Sequence, residues 1–270
     1  MKKKAIFALA ALAGTTMALP QAATAQVSDE WRFNAVLYGY FPSIGGKSTF
    51  PPRDGGSNID VDASKIISAL KFTFMGTFEA QKGRWGFLTD ILYMDLGGSK
   101  SATRDITIGH VTLPAGVTAN ANLDIKGTVW ELAGTYLAVS DPGVTVNLLA
   151  GARMLDYKQT LNWEFSTDLG PNQPSRTGSS EVKKTFWDGI VGVKGRFAFG
   201  ENREWFVPYY VDVGTGDSDV TWQIIGGIGY AFKWGDVIAG WRYLDYNFKS
   251  GGVFEDANFN GPIVGVAFHW

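Results

Sequence analysis

From about residue 31 onward, apolar and polar residues alternate with a period of two. Across residues 128–138, Trp130, Leu132, Gly134, Tyr136 and Ala138 fall on one phase, and Glu131, Ala133, Thr135 and Leu137 on the other. Alternate side chains of a β-strand point to opposite faces, so this pattern predicts strands with one apolar and one mixed face. It recurs in ten stretches, at about 31–41, 71–81, 85–97, 120–139, 144–164, 183–198, 204–214, 218–232, 236–248 and 259–270. The connections alternate in length. Lys82–Arg84, Asp141–Gly143, Gly200–Arg203 and Lys233–Gly235 are tight turns with Gly or Pro at most of them. Longer loops lie at 42–70, 98–119, 165–182 and 249–258, with a short one at 215–217. The proposed lipid face on the apolar phase includes Phe33, Phe74, Trp130, Leu148, Trp187, Trp222, Trp241 and Phe268, and none of the residues assigned to it is charged. A Lys or Arg at a bilayer midplane costs roughly 2–4 kcal/mol. The prediction is an all-β, antiparallel, transmembrane up-and-down β-barrel of about ten strands (eight to twelve), with short periplasmic turns and long extracellular loops. An even count places both termini on the periplasmic side. The opposing reading is a water-soluble sandwich or lipocalin-like barrel with the apolar phase turned inward. Trp and Tyr at the strand ends, where an interfacial girdle would lie, favour the membrane.

The N-terminus adds a location. Lys2, Lys3 and Lys4 precede an Ala/Leu-rich run to about Ala13, and Ala23-Thr24-Ala25 is a small-x-small cleavage site. Residues 1–25 read as a secretory signal peptide, leaving 26–270 as one outer-membrane barrel domain. The apolar run is too short to span a bilayer, and Gly14-Thr15-Thr16 interrupts it. Removing three lysines takes the formal charge from −2 to −5, which argues against nucleic acid as a partner. Cysteine is absent, so no disulfide or thiolate metal site is available.

The inward phase holds Lys71, Glu79, Asp90, Glu131, Arg153, Asp188, Lys194, Arg196, Asp212 and Arg242. Five are acidic and five basic, which suggests a cross-linked polar lumen rather than a single-sign selectivity ring. A three-residue turn at 141–143 sets Glu131 opposite Arg153, as a cross-strand ion pair. The same counting across 233–235 sets Arg242 opposite Gly227. These charges read either as a structural network filling a narrow barrel or as a conduction pathway; ten strands lie near the filled end of the size scale. In the first long loop, Asp62 or Ser64 would cap a short helix with Ile66, Ile67 and Leu70 on one face, stiffening the loop or plugging the mouth. Asp54, Asp60 and Asp62 lack the spacing and glycine of a calcium loop, and no metal site is expected. The chain has two histidines, His110 and His269. His110, Asp105 and the Asp212/Asp217 pair resemble a barrel-rim protease site only loosely, so no catalytic residues are assigned.

The C-terminal run Gly265-Val-Ala-Phe268-His-Trp270 resembles the membrane-insertion signal of Gram-negative outer-membrane β-barrel proteins, with Gly265, Phe268 and Trp270 as its marks. It departs at Ile263, where a polar residue is usual. The stretches FMGTFEAQKGRWGFLTDILYMDL and WFVPYYVDVGTG are similar to a group of proteobacterial barrel proteins that brings no assigned activity with it. The resemblance implies the outer membrane of a Gram-negative bacterium. It also implies outer-membrane lipids and lipopolysaccharide as surroundings, and the barrel-assembly machinery as a partner for the last strand. The first functional expectation is a small passive pore with a charge-balanced lumen. The alternatives are a non-conducting structural or surface-interaction barrel acting through its loops and, last, a lipid- or peptide-processing barrel enzyme. No cofactor is expected.

Overall fold

The computed structural model describes residues 29–48, 57–61, 64, 68–103, 107–108, 111–112, 117–167, 175–249 and 254–270. Residues 1–25, read above as a signal peptide, lie outside the described residues, as do Asp54, Asp62, Asp105 and His110. Fourteen strands run in chain order through these segments. They are β1 (Trp31–Tyr40), β2 (Ser43–Ser48), β3 (Ser57–Val61), β4 (Leu70–Lys82), β5 (Trp85–Thr103), β6 (Thr107–Ile108), β7 (Val111–Thr112), β8 (Val117–Asp141), β9 (Val144–Thr167), β10 (Ser175–Phe199), β11 (Trp205–Gly216), β12 (Ser218–Phe232), β13 (Gly235–Phe248) and β14 (Phe254–His269). Ten of them, β1, β4, β5 and β8–β14, pair antiparallel with their neighbours in order. The ring closes where β1 meets β14, from Asn34↔His269 to Tyr40↔Ile263. Closure removes both sheet edges, which a barrel in lipid requires because no water is there to satisfy them.

The exterior follows the predicted phase. Phe72, Phe74, Phe87, Trp187, Val191, Ile224, Ile228, Trp241 and Val264 are all exposed. An apolar surface this continuous belongs in lipid. Paired aromatic rings mark its two borders. Trp85–Tyr136 (5.0 Å) and Trp205–Tyr230 (4.9 Å) lie at the end of the tight turns. Trp130–Trp187 (6.2 Å) and Trp222–Tyr243 (4.8 Å) lie at the other. Beyond Trp130 and Trp187 the outward face turns charged, with Lys126–Asp95 at 2.9 Å and Lys158–Glu181 at 3.0 Å. These exposed pairs place the end of the hydrocarbon band on this side.

Four of the predicted loop regions are partly strand. β5, β8, β9 and β10 stay paired far beyond the girdle, up to Thr103↔Thr118, Val117↔Thr167 and Ser175↔Ser166. The region 98–119 therefore consists largely of strand, with the small β6–β7 hairpin at its tip. Outside lipid both phases turn polar, as in Ser99-Lys-Ser and Ser175–Glu181. The hydrophobic alternation stops there while backbone pairing continues. On the opposite side, β2 continues β1 past Phe41-Pro42 alongside β14, and β3 pairs with β2. Leu70, predicted on a helix face, opens β4 instead, and most of that predicted helix lies outside the described residues.

The turns set the register. Lys82↔Trp85 closes a two-residue turn, with Gly83 at φ 58°, a left-handed conformation that favours glycine. The β8–β9 turn is Pro142-Gly143, two residues rather than three, since Asp141 pairs with Val144. A bulge between Leu137 and Val139 then shifts the register by one, so Glu131 does stand opposite Arg153. The β12–β13 turn has no such bulge. Phe232 pairs with Gly235, so Arg242 stands opposite Ile225, and Gly227 pairs with Gly240. The predicted Arg242–Gly227 pairing is therefore off by two residues: a three-residue turn at 233–235 itself sets Arg242 opposite Gly226, and Gly235's place in the strand moves the pairing one further, to Ile225.

Candidate functional site: a sealed lumen between two cavities

Mid-barrel, the inward phase of eight strands converges on two arginines. Arg153 on β9 donates from Nη2 to Glu131 Oε2 at 3.1 Å, pairs with Asp212 on β11, and reaches Thr221 Oγ1 on β12 at 3.3 Å. Arg242 on β13 donates from Nε to Gln223 Oε1 at 2.8 Å and from Nη1 to Tyr38 Oη (2.9 Å) and Asp90 Oδ2 (3.2 Å). Its guanidinium also lies 5.6 Å from the ring centre of Tyr40. Gln223 links the halves by donating to Asp212 at 3.4 Å. Tyr210 donates to Glu131, Thr77 to Asp90 at 2.7 Å, and Tyr38 to Asp90 at 2.8 Å. Arg153 is 0% exposed and Arg242 1%. Two cations face three carboxylates, so the layer is a cross-linked bar across the lumen rather than an open ring of one sign.

An apolar layer roofs it on the extracellular side. Tyr40, Met75, Leu92, Val129, Leu155, Leu244, Tyr246 and Phe248 form one buried cluster. Along β8 and β9, Val129 and Leu155 stand two residues outward from Glu131 and Arg153, a pair in register. Beyond this layer lies a cavity of about 210 Å³ between the tall β5–β8–β9–β10 wall and the β13–β14–β2 side. Below the arginine layer, a second cavity of about 280 Å³ faces the periplasmic end, with Glu131, Asp90 and Gln223 in its lining.

The remaining predicted charges separate into three positions. Lys194 pairs with Glu79 across the periplasmic cavity. Arg196 sits half-exposed at its mouth, 3.6 Å from Asp236 and 5.2 Å from the Phe206 ring centre. Asp236 also meets His269 at 3.0 Å. Asp188, buried, accepts from Ser218 N (2.8 Å) and Oγ (2.9 Å), holding the short β11–β12 turn against β10. Lys71 is not in the lumen. A bulge between Leu70 and Phe72 turns it to the outer face, where it pairs with Asp124. Gly265 and Trp270 lie on the closing seam. A Cβ on Gly265 would meet Tyr38 Cβ at 2.9 Å, and Trp270 exchanges backbone hydrogen bonds with Phe33 at 2.9 and 3.2 Å. Phe268 is paired with Ala35 on the same seam and faces outward.

Sequence reasoning missed Tyr38, Tyr210, Gln223, Thr77 and Thr221. All are on the inward phase, but only Gln223 carries a signal of its own, as the amide of that phase in β12.

No family model matches the sequence, and no curated protein is significantly similar to it. The fold does have relatives among solved structures. The outer membrane protease OmpT of Escherichia coli superposes with a TM-score of 0.52 at 10% identity, covering 92% of this chain and 98% of OmpT. This chain has the fold of the Gram-negative outer-membrane β-barrels. Ail, the attachment invasion locus protein of Yersinia pestis, aligns at a TM-score of 0.32 and 9% identity over 90% of this chain and 99% of Ail. CymD, a monoaromatic hydrocarbon channel, aligns at 0.30 and 9% over 90% and 89%. At 10% identity the likeness to OmpT gives the fold and assigns no role.

Proposed function

We propose that this protein is a closed, non-conducting outer-membrane barrel that acts through its extracellular half. The observation that carries the reading is the sealed lumen. Arg153 and Arg242 are cross-linked to Glu131, Asp212, Asp90 and Gln223 with almost no exposure, directly beneath an apolar layer. An ion on that path would have to displace buried ion pairs and then cross side chains offering it little hydration. The tall wall of β5, β8, β9 and β10 beyond the girdle supplies the working surface. The proposal assigns no catalysis. Of the described residues the one histidine, His269, sits at the periplasmic mouth beside Asp236, away from that surface.

The test is single-channel recording of the protein, purified from membranes, in a planar bilayer. The expected result is a silent bilayer with a folded, heat-modifiable barrel. Discrete, reproducible current steps from the native protein would overturn the reading in favour of the passive pore. One observation favours that second reading: cavities lie on both sides of a thin layer. Arg242→Ala is expected to stay silent as well, since the apolar layer of Tyr40, Leu244 and Tyr246 still closes the path when the bar is cut at its β13 end.

A further inference from the structure

We propose that the cavity above the apolar layer is a binding site for a small, uncharged, apolar molecule of about one ring. This deepens the reading of an extracellular working half and rests on the floor of that cavity being shut. The volume fits: an apolar protein cavity of about 150 Å³ stays dry and takes up benzene. This one, at about 210 Å³, has room for a ring with a short alkyl arm. Its walls come from two sides of the barrel. Leu92, Met94, Ile125 and Leu155 face Phe248 and Phe259.

The electrostatics choose the ligand class. Among the described residues no lysine or arginine lines the cavity. The two arginines nearest to its floor are already held by carboxylates in the layer beneath. The charged side chain among the described lining residues is Asp256, which repels an anion. A fatty-acid carboxylate therefore finds no partner there. A neutral ring finds apolar walls on both sides, with Gln159 and the Tyr157 hydroxyl that donates to it (2.6 Å) as the polar groups.

Gly127 gives a clean way to close the site. It lines the cavity, and a Cβ built on it meets no atom within 4 Å. A leucine there grows into the cavity and not into the fold.

The experiment is 19F NMR of the full barrel in lipid nanodiscs with fluorobenzene as the probe. The bound signal is read separately from probe dissolved in lipid. The expected result is a bound resonance for the native protein. It should be lost in Gly127→Leu, whose heat-modifiability shows that the barrel still folds. 4-Fluorobenzoate should give no such resonance. No bound signal from native protein overturns the proposal. A bound signal that survives Gly127→Leu overturns it by placing the probe elsewhere. Equal binding of 4-fluorobenzoate overturns the uncharged-ligand assignment. None of these outcomes depends on conductance, so this proposal and the closed-lumen reading fail separately.

Discussion

Arg153 lies between two carboxylates, Glu131 and Asp212, with no solvent to screen any of them. Removing a single partner from such a group leaves a buried charge uncompensated, at a cost of about 3–5 kcal/mol. Arg153→Met is therefore expected to lower the unfolding free energy of the barrel by an amount in that range, read from urea titration. The triple variant Glu131→Gln, Arg153→Met, Asp212→Asn should recover most of the loss, because no unpaired charge remains. If the single and triple variants unfold together, the layer is not an electrostatic unit. On the outer face the sign of the argument reverses. Leu132 is exposed, and its ladder partners are Thr89 and Ala152. Leu132→Arg is expected to destabilise by roughly 2–4 kcal/mol in lipid, measured by the same titration. Had the apolar face been a buried core of a water-soluble barrel, Leu132 would not be exposed. At the C-terminus, Trp270 stacks on Phe33 at 5.8 Å across the closing seam. Deleting Trp270 removes both that contact and the last backbone pair. The expected outcome is less folded, heat-modifiable protein in the outer-membrane fraction.

A strand's register decides which of its residues meet lipid, so a one-residue slip inverts the whole strand. β8 shows how this barrel manages it. Leu137 pairs with Asn147 and Val139 with Val146, leaving Ala138 as the extra residue of the bulge. Deleting Ala138 makes the ladder regular without moving Glu131 from Arg153, so the barrel is expected to fold and keep its heat-modifiability. Deleting Ala133, mid-strand, drives Glu131 to the lipid phase, and folded protein is expected to be lost. Equal tolerance of both deletions would mean that the turn, not the bulge, fixes the register. The sequence showed the strand and its faces but not this device. Pro142-Gly143 as a two-residue turn plus a bulge gives the same Glu131–Arg153 pairing as a three-residue turn without one. At 233–235 no bulge compensates for the shorter turn, so the register lies one residue from that of a three-residue turn and Arg242 meets Ile225. Turn length alone does not determine register, because the bulge is a local backbone choice that the hydrophobic pattern does not encode.

On the scale of the whole molecule, four zones follow one another along the barrel axis. Below are a periplasmic cavity with the Glu79–Lys194 and Asp236–His269 pairs, then the arginine layer, then its apolar roof. Above the roof is the apolar cavity between unequal walls. β10 runs from Ser175, but β11 pairs with it only up to Gly216↔Asp188. This inequality leaves the extracellular half with a high side and a low side, and so with a cleft rather than a closed tube.

The sequence by itself determined that the chain crosses a membrane as about ten strands, where the short turns lie, and which face meets lipid. Lipid enforces these features position by position: each outward residue must be apolar and each backbone group paired, so the constraint is written in the two-residue alternation. Tertiary structure alone decided which inward charges meet. Asp212 and Arg153 are 59 residues apart, Asp90 and Arg242 152, and their contact depends on strand tilt and closure around the ring. It decided that Lys71 leaves the lumen, through a single bulge beside Phe72. It also decided that strands continue beyond the membrane, where water accepts either face and the alternation carries no information.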